Sequence, residues 1–403
     1  MRRIPRQLAA LLLVLLLGPA LAAAGGPSQP AVVLISLDGT SPEVGRRGLP
    51  SLAEIARRGA WARRLVPVFP TNTFPNHVTL VTGVHPDRHG IVDNAFLDPE
   101  RGTYDKDADP TWIEVEPLWS LVEGHGLRTA SYHWVGSEGP WRSGRGPSHW
   151  KRFDSGVAER DKVAQILAWR DVEPASARPR LVTAWFHGAD HAAHRDGPDA
   201  PEVSRALRAQ EPALAALVAG LESRGAFETT TLIVVSDHGM ERVRARVDLR
   251  AALHRAGLRA RVFGGGGFAS IAVEGGPSAE AKAVRVARDQ GLEAWRRGEA
   301  PAELRLGNPR FGAVVALAPP GVAIGGGSLR GVHGYRPEEP RMAALFAAVG
   351  RGVPAGLALG DVRSVDVAPT VLGLLGVPIP EWMEGRPIPE IGVRAERPAE
   401  APE

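Results

Sequence analysis

Ala31-Val-Val-Leu-Ile-Ser-Leu37 is a near-continuous apolar run rich in β-branched residues, followed by Asp38-Gly39. Continuous rather than alternating apolar character marks a strand buried on both faces, as in a parallel sheet covered by helices. Open α/β sheets place ligand-binding groups where such strands emerge at their carboxyl ends. An Asp-Gly pair also makes an ordinary turn, so this segment alone leaves both readings open.

Two more segments repeat the pattern. Leu181–Phe186 opens onto His187-Gly-Ala-Asp190-His191-Ala-Ala-His194, and Thr230–Ser236 ends in Asp237-His238-Gly239. One Asp at a strand end is ordinary; three, two of them with His partners, point to a shared site on one edge of a parallel sheet. Asp190 and His194 are four apart and share a face if the segment turns helically. His187 and His191 offer a competing pair, and spacing does not choose between them. The chain has no cysteine, so a metal here is held by His, Asp or Glu.

Ahead of these lies Pro70-Thr-Asn-Thr-Phe-Pro-Asn-His77, with Thr71 and Thr73 set between prolines before a helix-compatible run, Asn76–Thr82. A helix N-terminus has unpaired N–H groups and the positive end of the dipole, which favour an anion such as phosphate. A Thr-Xaa-Xaa-Asn start is also an ordinary helix cap. Asn94 is a neutral donor suited to an oxyanion, or a turn residue. His85 and His89 are also four apart, but Pro86 and Gly90 make the segment a loop with structural histidines.

The remaining pattern organises the chain. Residues 1–24 read as a cleavable secretory signal peptide: Arg2, Arg3 and Arg6, then apolar Leu8–Leu17, then Ala22-Ala23-Ala24. The absence of cysteine excludes a lipoprotein. The formal charge is +3, and the leader carries three Arg and no acid, so the mature chain is +3 − 3 = 0. The sequence pI of 9.6 is therefore no sign of nucleic-acid or membrane binding. Residues 25–241 and 331–392 read as two parts of one α/β core, with a mostly parallel sheet flanked by helices. Helices are expected at Leu52–Arg58, Leu118–Glu123, Val163–Trp169, Glu202–Arg224 and Val367–Leu375. Strands are expected at Trp61–Phe69, Arg128–Trp134 and Ala343–Val349. Residues 242–330, broken by Gly264–Gly267, Pro319-Pro320 and Gly325–Gly327, read as an inserted subdomain. Residues 393–403 read as a disordered tail. His149, Trp150 and Phe153 form an aromatic cluster suited to core packing or to a pocket wall.

Asp38-Gly39, Thr73-Phe-Pro-Asn-His77, Thr82-Gly83, Gly90-Ile91, Asn94, Asp190…His194, Asp237-His-Gly-Met240 and His333-Gly-Tyr335 stand together in order. In these the chain resembles the nucleotide pyrophosphatase/phosphodiesterase family of the alkaline phosphatase superfamily, over roughly Val32 to Gly376. The resemblance implies an alkaline-phosphatase-like fold and two Zn2+ ions. It implies Asp190, His194 and His333 as ligands of one ion, and Asp38, Asp237, His238 and Thr73 as ligands of the other. It selects Thr73 as nucleophile, Asn94 as donor to the phosphoryl oxygen, and Phe74 and Phe153 as walls for a nucleotide base.

Two departures bear on the substrate. Asn72 stands where animal members often have Lys, and Phe153 where Tyr is usual. The implied partner is a small phosphodiester or nucleotide; no nucleic-acid duplex is expected, nor a membrane span once the leader is cleaved. The expected location is the periplasm or the medium. Rival readings are a phosphomonoesterase, phosphonate hydrolase or lipid-headgroup phosphodiesterase on the same scaffold, or a secreted binding protein with structural metal.

Overall fold

The computed structural model describes residues 29–392; the leader and the tail after residue 392 lie outside them. The central sheet has eight strands: β1 (Ala31–Leu37), β2 (Ala60–Val66), β3 (Thr129–Tyr132), β4 (His149–Lys151), β5 (Leu181–Phe186), β6 (Thr230–Val235), β7 (Phe346–Gly350) and β8 (Leu357–Arg363). Their spatial order is β8-β2-β7-β6-β1-β5-β3-β4. All neighbours are parallel except β7, which runs antiparallel to both β6 and β2. The sheet is thus mostly parallel, as expected.

β1 lies at the centre of the parallel half and is buried along its whole length. Its side chains alternate between two cores, as the pleat requires. Val33, Ile35 and Leu37 pack with Val163, Ile166 and Trp169 of helix Glu159–Arg170 and with Leu207, Leu214, Leu217 and Leu221 of helix Pro201–Ser223. Val32 and Leu34 pack on the other face with Leu80 and Val81 of helix Thr73–Thr82 and with Val371, Leu372 and Leu375 of helix Val367–Leu375. Burying both faces fixes the strand's height, and with it the position of the Asp that follows.

Several elements differ from expectation. Segment 85–90, read as a loop, contains one helical turn at Pro86–His89. His85 bonds Glu384, and the buried His89 bonds Thr79, so both histidines serve the structure. β8 was not anticipated, because Gly360, Asp361 and an irregular burial pattern disguise it as a loop. His149 and Trp150 are neither core nor pocket wall: they lie exposed on edge strand β4.

Between β6 and β7 the chain builds a second, four-stranded antiparallel sheet. Its order is Ala260–Gly265, Phe268–Val273, Val314–Leu317, Glu293–Arg296. Helices Leu249–Arg255 and Gly276–Asp289 cover it around a separate core. The chain leaves and re-enters the main body where Glu241–Arg242 pairs with Gly331–Val332. Arg310, 3% exposed, ties this sheet to the main body through Asp98 (2.6 Å), Gly90 O (2.9 Å) and Trp112 O (3.0 Å).

Candidate active site

β5, β1 and β6 are adjacent, with Ser36 level with both Trp185 and Val235. Each strand therefore releases its chain at the same height. Asp38 follows β1, Asp237-His238 follows β6, and Asp190 opens helix Asp190–Asp196 after β5. Two glycines let these exits touch. Gly39 has φ +60°, and a Cβ there would lie 2.9 Å from Asp190 Cα; Gly188 has φ +56°, and its Cβ would lie 2.1 Å from Asp38 O. Neither position accepts a larger residue without moving a carboxylate.

The side chains fall into two overlapping sets. Asp190 Oδ1 is 3.2 Å from His194 Nε2 and 3.9 Å from His333 Nε2. His238 Nε2 is 3.1 Å from Asp237 Oδ2, 3.8 Å from Asp38 Oδ1 and 3.1 Å from Thr73 Oγ1. Candidate ligand atoms of Asp190, His194 and His333 lie within 4.8 Å of one another, and so do those of Asp38, Asp190 and His238. Each imidazole presents Nε2 to the site while its Nδ1 faces an oxygen: His194 to Gly331 O (2.8 Å), His238 to Gly239 O (2.8 Å), His333 to Asn72 Oδ1 (2.8 Å) and Thr71 O (3.1 Å). Such contacts fix the proton on Nδ1 and leave Nε2 as a lone pair, the form a metal binds.

The electrostatics call for cations. Asp38 Oδ1, Asp190 Oδ1 and Asp237 Oδ2 are buried and accept no hydrogen bond among the described residues. Burial, then the Asp237 and Asp190 charges, push the Asp38 carboxyl well above the usual carboxylate range. Burial works against the Asp237 anion too, but His238 and His77 hold its carboxyl well below that range. Burial, with His238 and His194 beside it, depresses His333 strongly, so this imidazole is neutral. Clustered carboxylate oxygens without hydrogen-bond partners, facing imidazole Nε2 atoms, make an N/O donor set that fits bound divalent metal.

Thr73 is the first residue of helix Thr73–Thr82, at the end where backbone N–H groups lack intrahelical partners. Phe74 N donates to Asn94 Oδ1 at 2.9 Å, which leaves the NH2 end of Asn94 as a donor. Thr71 does different work: its hydroxyl donates to Tyr335 O (2.9 Å) and accepts from Gly334 N (3.0 Å), anchoring the loop that carries His333. His187 turns away from the site, its Nδ1 2.6 Å from Glu159, and His191 is exposed.

Sequence reasoning gave no role to four residues here. His77, one turn after Thr73, has its Nδ1 2.9 Å from Thr73 O and 3.4 Å from Asp237 Oδ2; its i+4 spacing from Thr73 was the available signal. Asn72 Nδ2 donates to Asp93 Oδ1 at 2.7 Å, which makes a chain Asp93–Asn72–His333. Burial pushes the Asp93 carboxyl up to about 7. Trp185 donates from Nε1 to Asp38 Oδ2 at 3.0 Å and stacks on Phe153, with centroids 5.3 Å apart at 26°. Phe74 meets Trp185 edge-on at 6.3 Å.

Two cavities flank the centre. One, of about 360 Å³, is walled by Phe74, Phe153 and Trp185 and reaches Asp38, Thr73 and Asp190. The other, of about 600 Å³, lies between the main body and the second sheet and reaches Asn72, His194 and His333. Asn94 and Lys106 line both.

The sequence pattern of the type I phosphodiesterase / nucleotide pyrophosphatase family matches residues 32–336. An uncharacterised pyrophosphatase/phosphodiesterase of Schizosaccharomyces pombe is 36% identical over 220 residues, 53% of this chain and 45% of its own length. A venom phosphodiesterase of Macrovipera lebetinus is 32% identical over 226 residues, 54% of this chain and 26% of its own. The aligned part is thus less than half of each of these two curated relatives. Human ectonucleotide pyrophosphatase/phosphodiesterase 5 superposes with a TM-score of 0.80 at 25% identity, over 87% of this chain and 96% of that one.

Proposed function

The chain belongs to the type I phosphodiesterase / nucleotide pyrophosphatase family, and on that premise we propose that it hydrolyses phosphodiester or phosphoanhydride bonds of nucleotide-type substrates. The observation that carries this reading is His238 Nε2, which lies beside Thr73 Oγ1, Asp237 and Asp38, next to the overlapping Asp190, His194 and His333 set.

Asp190, His194 and His333 would hold one zinc ion, and Asp38, Asp237 and His238 another, next to Thr73. Ions bound there would acidify the Thr73 hydroxyl and offset charge on the entering and departing oxygens. Thr73 Oγ1 attacks phosphorus, and the bond to the leaving oxygen breaks. Water then cleaves the threonine–phosphorus bond, releasing the nucleotide and restoring the hydroxyl. The Asn94 NH2 and the Thr73 N–H at the start of helix Thr73–Thr82 donate to the non-bridging oxygens, where charge is greatest in the transition state. Phe74, Phe153 and Trp185 hold a planar base by stacking. Among the described residues lining the aromatic cavity the one arginine, Arg152, lies 4.0 Å from Glu138, so that cavity sets no free guanidinium aside for a third phosphoryl oxygen. That favours the diester over the more highly charged monoester.

The leader pattern of residues 1–24 supports export to the periplasm or beyond, and a venom enzyme stands among the relatives. Among the described residues no helix is long and apolar enough to cross a membrane. The test is turnover of bis-p-nitrophenyl phosphate against p-nitrophenyl phosphate by the zinc-loaded protein, with Thr73→Ala alongside. A diester preference abolished in the variant is expected. A monoester preference, or a variant that keeps its turnover, contradicts the reading.

A further inference from the structure

We infer that the buried ion pair Lys162–Glu159 is a positioning element for the reaction: it stands in for a missing neighbour of β5 and so holds Trp185 against Asp38 and the aromatic wall. The inference rests on the phosphodiesterase reading above and adds to it two residues that act through Trp185.

β5 outruns one of its neighbours. β3 ends at Tyr132, level with Ala184, whereas β1 follows β5 as far as Phe186. The open edge beyond Ala184 therefore shows two backbone groups, Trp185 O and His187 N, that one further residue of β3 would bond in a parallel ladder. His133 instead takes φ +64° and the chain turns off, so that His133, Trp134 and Val135 line the aromatic cavity. Helix Glu159–Arg170 supplies the substitute. Lys162 Nζ donates to Trp185 O at 2.9 Å, and Glu159 Oε1 accepts from His187 N at 2.7 Å. The two side chains meet at 3.2 Å and are 2% and 7% exposed. Donor and acceptor together satisfy the strand end as a peptide unit of β3 would.

An ion pair is a costly way to fill that space. Desolvating an ammonium and a carboxylate opposes folding, and apolar residues of similar volume often serve stability as well or better. Burial pulls the Lys162 ammonium below its ordinary value. What an apolar side chain cannot do is fix Trp185 O. The Trp185 side chain leaves the backbone at that point and meets three groups of the site. Its Nε1 donates to Asp38 Oδ2 at 3.0 Å, and its ring stacks on Phe153 at 5.3 Å and meets Phe74 edge-on at 6.3 Å. On the other edge of β5, Asp38 N donates to Phe186 O at 3.1 Å. A shift of this strand end therefore moves a candidate metal ligand and the base wall together.

The experiment is a double-mutant cycle between Lys162 and Trp185 on the metal-loaded protein. The substrate is the p-nitrophenyl ester of thymidine 5′-monophosphate, at a temperature well below each variant's melting point. Lys162→Met keeps the length and removes the donor; it should lower kcat/KM about tenfold. Lys162→Arg should recover part of that loss. In Trp185→Ala, where no indole is left to place, adding Lys162→Met should change kcat/KM by less than about twofold. A merely structural lysine would lower the melting point and leave kcat/KM alone, or lower it by the same factor in both backgrounds; either result overturns the inference. Lys162→Met leaves Glu159 buried alone, so Lys162→Met/Glu159→Gln is made beside it and carries the same expectation. If neither folds, the pair is structural and the inference fails. Zinc titrated against a chelator gives a readout that needs no turnover: Lys162→Met should weaken affinity about tenfold, through Trp185 and Asp38. Unchanged affinity would overturn the inference. Failure of the wild type on the ester would refute the phosphodiesterase reading instead, and the zinc titration would then decide the positioning role.

Discussion

The carboxyl ends of β1, β5 and β6 and the antiparallel sheet of residues 260–317 approach one another across a cavity, and they are built in opposite ways. The strand ends hold carboxylates and imidazoles in deep burial, with oxygens that lack partners. The region around the second sheet offers half-buried or exposed cations without carboxylates, Arg246 and Arg250. One side is short of positive charge, the other short of negative. A buried set is expensive to assemble and is rigid because both faces of β1 are packed. An exposed cation set is cheap and easily altered, since surface charges contribute little to folding. On the proposed reading, the chemistry belongs to the first region.

The comparison breaks first at Thr73. Thr73→Ala should lower turnover by about a thousandfold or more, yet leave metal content unchanged, because Asp38, Asp237 and His238 remain to hold the ion beside it. Matched losses of activity and of metal, read by elemental analysis, would mean that the strand-end region is not prearranged.

Asn72 sharpens it. Asn72→Ala cuts the chain from Asp93 to His333 and should weaken metal affinity by about 10- to 100-fold. A chelator competition titration reads this directly. Asn72→Asp, which keeps an acceptor for His333, should recover part of the loss; a purely structural role for Asn72 would give no such recovery.

The aromatic wall comes next. Phe153→Ala removes one stacking face, worth about 1–2 kcal/mol, or roughly tenfold in KM for a nucleotide ester. The kcat should hold, since Phe153 touches no reacting atom. KM for bis-p-nitrophenyl phosphate should change less.

The smallest effect concerns how the second region is fastened. Glu384 accepts from His85 and pairs with Arg305 of the inserted segment. Burial would raise its carboxyl, but His85 and Arg305 hold it at about 2, below its ordinary 4.5. A depressed carboxyl binds fewer protons in the folded state, so its stabilisation is complete above about pH 4.5 and is lost as pH falls toward 2. Glu384→Gln should cost about 1 kcal/mol at neutral pH, after allowance for solvent screening. The difference from wild type in urea melts should shrink on acidification through that window.

How much could be read beforehand follows the same division. β1, β5 and β6 are legible because burial on both faces demands near-continuous apolar runs, and each run stops within four residues of a site aspartate. The pair Asp190 and His194 was visible as spacing, but spacing could not separate it from His187 and His191. Only the fold shows His187 held by Glu159. Trp185 bonding Asp38, 147 residues away, and Asn72 bonding His333, 261 residues away, leave no local trace. The second sheet was opaque in detail because its strands carry glycine, arginine and alanine in no strict alternation, as in Ala260–Gly265. β8 was missed for a similar reason.

The most direct test of the central claim, that Thr73 forms a covalent bond to phosphorus, is the stereochemical course at that atom. A nucleoside phosphorothioate p-nitrophenyl ester of known configuration is hydrolysed in isotopically labelled water, and the product's configuration is read by phosphorus NMR. Two in-line displacements, first by Thr73 and then by water, predict net retention. Net inversion would show that water attacks directly and that Thr73 is not the nucleophile.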